Sequence, residues 1–219
     1  MFMQKSRNSK FIIIVVLMIL VIGLSIGFSA FTNIITIKSG ADVKPSATSF
    51  NVDFSSASGK VENNKITPTL NPTTLTATSA VIDNTGDPTI SGLGVTFTEP
   101  GQSATYTFYS HNSGEYTSYL KSITFGAAEG TTLSKACTAS TGTSQELVNA
   151  ACNSISLSIK VGNDAAVTQT IQNITSHSLA KNTSEPIIIT ISYGSGAQVA
   201  DGDFVVKFGD ITLNYSSVD

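Results

Sequence analysis

Two hydrophobic patterns divide the chain. Residues 11–31 form an apolar run with no charged position, and Lys5, Arg7 and Lys10 stand just before it. As a helix this run extends about 31 Å, enough to cross a hydrocarbon core of about 30 Å. Beyond Lys38 the period changes from helical to two. Residues 155–161 (Ile-Ser-Leu-Ser-Ile-Lys-Val) are apolar at every odd position and polar between. Residues 50–54, 80–82, 95–98, 105–109, 119–125, 187–193, 204–208 and 211–215 show similar patterns. Alternation of this kind turns one face to a core and the other to water. Thr, Val, Ile, Tyr and Phe also suit strands.

Turn residues punctuate these segments: residues 84–88 (Asn-Thr-Gly-Asp-Pro), Glu99-Pro100-Gly101, Asn112-Ser113-Gly114, Gly162-Asn163-Asp164, residues 200–203 and Gly209-Asp210. Eight to ten short strands with such punctuation predict an all-β fold. The expected form is an antiparallel β-sandwich, immunoglobulin-like or jelly-roll-like, preceded by one N-terminal hydrophobic helix. The Trp–Cys framework of antibody domains is absent, because the chain has no Trp. The expected organisation is a signal peptide or membrane anchor over residues 1–29, an N-terminal strand and linker over 30–49, and a β-sandwich over 50–219.

The basic flank holds the N-terminus in the cytoplasm, so the chain beyond the apolar run is exported. Two readings of the run compete. It is longer than the apolar region of about 7–15 residues usual in a cleaved signal peptide. Its end nevertheless becomes small, and Gly27-Phe28-Ser29 fits a cleavage rule that places the scissile bond between Ser29 and Ala30. If uncleaved, residues 11–31 anchor the protein in a membrane as a single span. The expected location is extracellular or cell-surface.

Export bears on Cys137 and Cys152, the only two cysteines. An even pair in an oxidising compartment predicts a disulfide. The enclosed segment carries Thr143-Ser144-Gln145-Glu146, which reads as a capping box opening a short helix.

Of the 219 residues, 12% are charged, against roughly 25% in globular proteins. About 58 are Ser or Thr, so the polarity is mostly hydroxyl. Loss of residues 1–29 would remove three of 12 basic residues and none of 15 acidic ones, taking the formal net charge from −3 to −6. No basic footprint for nucleic acid is present.

Catalytic, cofactor-binding and metal-ligating residues are not expected, and the chain does not read as an enzyme. His111 and His177 are far apart, start no metal-binding pattern and read as half-exposed imidazoles. Ser118-x-x-Lys121 and Ser178-x-x-Lys181 match a Ser–Lys hydrolase signature without its partner triplets, in a chain where Ser is abundant. Asp201-Gly202-Asp203, with Asp210, offers oxygens to a hard cation, but a hairpin turn explains the same residues. Tyr106, Tyr109, Tyr116 and Tyr119 could form an exposed aromatic patch, with core packing as the competing explanation. Residues 30–38 are apolar and β-prone. After cleavage, Phe31, Ile34, Ile35 and Ile37 would lie on a free strand able to complete its own sheet or join a neighbour's open edge.

The basic start, the long apolar run and residues 27–33 (Gly-Phe-Ser-Ala-Phe-Thr-Asn) resemble the export signals of the TasA/camelysin group of secreted bacterial matrix proteins. The segment from Glu99-Pro100-Gly101 to Asn112-Ser113-Gly114 resembles that family's Pro-Gly turn, strand and Asn-x-Gly turn. The resemblance covers the first 40 residues and about 30 in the middle. The Cys pair is not part of the family pattern, and the second half matches nothing in it. The resemblance implies a jelly-roll-like protein that passes its N-terminal strand to the next subunit and forms extracellular fibres. The expected partner is thus the protein itself, as homo-oligomer or fibre. The alternative is a cell-surface ligand held by an anchored adhesin or carbohydrate-binding module.

Overall fold

The computed structural model describes residues 50–59, 64–168 and 172–217. The expected leader, the Ser29–Ala30 cleavage site and the strand bearing Phe31, Ile34, Ile35 and Ile37 lie outside the described residues. Within them the chain is all-β, with antiparallel sheets and one short helix. The strands are β1 (Val52–Ser55), β2 (Lys65–Ile66), β3 (Thr69–Asn71), β4 (Thr76–Ala77), β5 (Ala80–Asp83), β6 (Thr89–Ser91), β7 (Gly94–Phe97) and β8 (Ser103–Asn112). They continue with β9 (Ser118–Phe125), β10 (Lys135–Ala139), β11 (Ile155–Val161), β12 (Val167–Thr168), β13 (Gln172–Leu179), β14 (Ser184–Tyr193), β15 (Phe204–Phe208) and β16 (Ile211–Ser216). The helix α1 (Gln145–Cys152) lies between β10 and β11.

Three sheets result. The first runs β1-β8-β14-β11-β12, with β3 also paired to β8. The second runs β13-β9-β16-β6-β5-β2, and the third β10-β15-β7-β4. The alternating segments explain the first sheet: Leu157, Ile159, Ile187, Ile189 and Ile191 all occupy the buried phase of β11 and β14. They join Ile123 and Leu213 of the second sheet and Val95, Phe97 and Phe204 of the third in one apolar cluster.

Within that cluster Tyr193 stands edge-on to Phe97 (centroids 5.7 Å apart) and Phe204 (5.5 Å), and its hydroxyl donates to the Gln198 carbonyl. Tyr106 is fully buried rather than part of an exposed patch, and its hydroxyl donates to the Thr78 and Gly94 carbonyls. Burial pushes that phenol up to about 12. Tyr116 is the one of the four tyrosines that is well exposed.

Turn chemistry closes the strands as expected. Gly101, in the Pro-Gly turn between β7 and β8, has φ +93°. The buried Gln102 closes that turn, its Oε1 accepting the Thr98 N–H at 2.9 Å and its Nε2 donating to Thr98 Oγ1 at 2.6 Å.

Candidate functional site

The inward phase of β8 passes from Ala104, Tyr106 and Phe108 to Ser110 and Asn112, which are equally buried. The inward phase of β14, read backwards from Tyr193 through Ile187, ends on Glu185. Glu185 is the register partner of Ser110, so the two strands set a carboxylate and a hydroxyl side by side where the core becomes polar. Ser110 Oγ donates to Glu185 Oε1 at 3.3 Å. From the second sheet, β13 brings His177 to the same place.

His177 is 8% exposed, not half-exposed as its polar stretch suggests. Its Nε2 lies 2.8 Å from Glu185 Oε1 and 2.9 Å from Oε2, and its Nδ1 lies 2.7 Å from Asp164 Oδ2. Asp164 comes from the turn after β11, two residues beyond Gly162. That glycine has φ +53°, and a Cβ there would come within 2.8 Å of Glu185 Oε2, so backbone conformation and space both favour glycine. The Tyr215 hydroxyl of β16 is buried without a hydrogen bond of acceptable geometry among the described residues. Burial raises its phenol above the ordinary tyrosine range, and the Glu185 charge adds to that effect.

The hydrogen bond that His177 donates to Glu185 does most to raise the His177 pKa above its ordinary value. Burial opposes it, while the charges of Glu185 and Asp164 and the Asp164 hydrogen bond add to it. An imidazole facing a carboxylate on each nitrogen donates from both, which requires the protonated form. Neither nitrogen is then free to take a proton from a nucleophile, and Ser110 bonds to Glu185 rather than to the imidazole. The chemistry of the cluster is therefore ionic: an imidazolium clamped between two carboxylates, joining the first sheet to the second. Glu185, 14% exposed, is the stronger partner, because Asp164 at 53% is largely screened by water.

The remaining candidates are scattered. His111 Nδ1 meets Ser184 Oγ at 2.8 Å across the β8–β14 pair, and the Gly59 N–H donates to the same hydroxyl at 3.2 Å. Ser118 lies buried on strand β9, and Ser178 lies near the end of strand β13, so neither S-x-x-K match sits on a helix. Asp201 Oδ1 accepts the Ser144 N–H at 2.9 Å, placing its carboxylate at the start of α1. Among the described residues no group of three or more His, Cys, Asp or Glu side chains is arranged to hold a metal ion.

Cys137 and Cys152 are joined in a disulfide, with Cα atoms 6.1 Å apart. For a loop of 15 residues the chain-entropy model assigns about 3 kcal/mol. The enclosed helix is present, but the capping box is not. Ser144, not Thr143, is the N-cap, and it makes no side-chain cap bond. Gln145, the first helical residue, turns its carboxamide to β10 instead. Val148 and Ala151 bury the helix's inner face, and Lys135 Nζ holds its far end by donating to the carbonyls of Cys152 (2.7 Å) and Ile155 (2.8 Å).

No family model, curated protein or solved structure matches the chain.

Proposed function

We propose that the chain is an exported structural protein of the cell surface or extracellular space, a self-assembling matrix or fibre subunit. Its body is an antiparallel β-sandwich, immunoglobulin-like or jelly-roll-like, and Phe31, Ile34, Ile35 and Ile37 supply the strand that joins one subunit to the next. The observation that carries the reading is the Cys137–Cys152 disulfide, which suits an oxidising compartment. Four features add support: the basic flank, the apolar run, the low charge and the resemblance to the TasA/camelysin group.

A second reading, a membrane-anchored adhesin or carbohydrate-binding module, is favoured by one specific feature. Register aligns Thr69, Thr105, Thr190, Ser158 and Thr168 across the first sheet, on strand positions out of phase with the core. That uncharged row of hydroxyls suits hydrogen bonding to a neutral glycan.

Negative-stain microscopy of the secreted chain beside a version limited to residues 39–219 separates the two. Fibres from the secreted chain and none from the shortened one are expected. Assembly undiminished by the truncation would remove the donor-strand reading, and a stable monomer that binds glycans would favour the second.

A further inference from the structure

Among the described residues the third sheet ends at β10, which pairs with β15. Ser140 N–H donates toward β15, to the Asp203 carbonyl, so the alternate groups of β10, at Cys137 and Ala139, face outward. An edge like this ordinarily invites another strand. Here the Gln145 side chain of α1 occupies it. The Ala139 N–H donates to Gln145 Oε1 at 2.9 Å, and Gln145 Nε2 donates to the Cys137 carbonyl at 3.1 Å. One carboxamide thus stands where a peptide group of a next strand would lie. Eight residues are too few for a helix to persist without tertiary support. The support here is the two buried residues Val148 and Ala151, the Lys135 contacts and the bond from Cys152 to the strand being guarded.

We propose that α1 is a redox latch over a strand-accepting edge, and that opening it lets β10 pair with β10 of a second copy. Reduction by a dithiol delivers two electrons and two protons. The Cys137–Cys152 S–S bond breaks, two thiols form, and the dithiol leaves as its own disulfide. Once the tether is cut, Gln145 withdraws and the Cys137 carbonyl and Ala139 N–H are left open.

A second copy is the occupant that the strand itself specifies, because an antiparallel edge is complementary to its own copy across a two-fold axis. Pairing centred on Cys137 sets each Lys135 opposite Ala139 of the other copy. The two lysines, the only charges on β10, are therefore kept at opposite ends.

The test uses the full chain in mild detergent, in three forms: oxidised, reduced with dithiothreitol, and carrying Cys137→Ser with Cys152→Ser. The double variant opens the latch and leaves no thiol to cross-link. Hydrogen exchange at the Ala139 amide reports the latch, and exchange at the core amide of Ile189 reports the rest of the fold. Sedimentation reports association.

Opening is expected to speed Ala139 exchange at least tenfold while Ile189 stays protected. It should also convert the oxidised species to one twice its mass as concentration rises. Adding Ala139→Pro, which removes the edge donor, should abolish that association. Unchanged Ala139 exchange after reduction would overturn the proposal. So would absence of association at every concentration, or association that survives Ala139→Pro. Loss of Ile189 protection in both opened forms would overturn it as well, since a latch requires the body behind it to stand.

Discussion

Replacing His177 with alanine is expected to lower stability by about 3 kcal/mol, because it leaves the largely covered Glu185 carboxylate without its cation. For a chain of this size that lowers Tm by roughly 10 °C. The magnitude comes from burial rather than from the number of bonds. His177 and Glu185 are 8% and 14% exposed, so their pairing is little screened, while Asp164 at 53% stands largely in water. Asp164→Asn should therefore cost under about 1 kcal/mol.

The same cluster sets a pH dependence. The folded protein holds the His177 proton more tightly than the unfolded chain does, where the value is near 6.5. Its contribution is then complete below about pH 6.5 and fades as pH rises through the higher folded-state value. Thermal melts from about pH 6 to about pH 9 should show Tm of the unaltered protein falling across that window. His177→Gln, which cannot carry the charge, should give a flatter profile. A profile identical to the unaltered protein's would show that the clamp does not govern this window.

Replacing Tyr193 with alanine is expected to cost about 4 kcal/mol, within the range for removing a large aromatic from a core. Tyr193 is fully buried between Phe97 and Phe204, which come from two other strands, β7 and β15. Its removal thus opens a space lined by rigid rings that cannot easily close on it. The hydroxyl contributes less. Tyr193→Phe loses only the bond to the Gln198 carbonyl and should cost about 1 kcal/mol. Chemical denaturation of the two variants distinguishes these contributions. Equal losses from both would mean that the hydroxyl, not the ring, holds this part of the core.

The clearest strands are those whose alternation is uninterrupted. Residues 155–161 and 204–208 form β11 and β15 with the expected limits, since every second residue there is Ile, Leu, Val or Phe. β10 and β13 escape such a reading for a physical reason. β10 is Lys-Ala-Cys-Thr-Ala and β13 is mostly Gln, Asn, Ser and Thr, so their sequences carry little apolar phase. Sheet neighbours and a covering helix make them strands. The segments β2, β4 and β12, of two residues each, are too short for a period to register.

The charged cluster was not read from the sequence, because the alternating segments 105–109 and 187–193 stop short of Ser110 and Glu185. Glu185 and Ser110 stand in phase with the core residues of their strands, and an acidic residue on a core phase signals a buried partner. Nothing near His177 named it as that partner, because the contact spans two sheets. The disulfide was legible from the even cysteine number and the expectation of export. The helix between its ends was legible from local pattern, while its cap was not, because Gln145 is drawn away to the β10 edge.

Export into an oxidising space is the claim on which the functional reading rests. The most direct measurement is terminal mass spectrometry of the native protein after cell fractionation, with thiol alkylation before denaturation and again after it. The expected result is a polypeptide beginning at Ala30 in the medium, with Cys137 and Cys152 unreactive at both steps. A cytosolic chain that retains Met1 and takes up two alkyl groups after denaturation would contradict it.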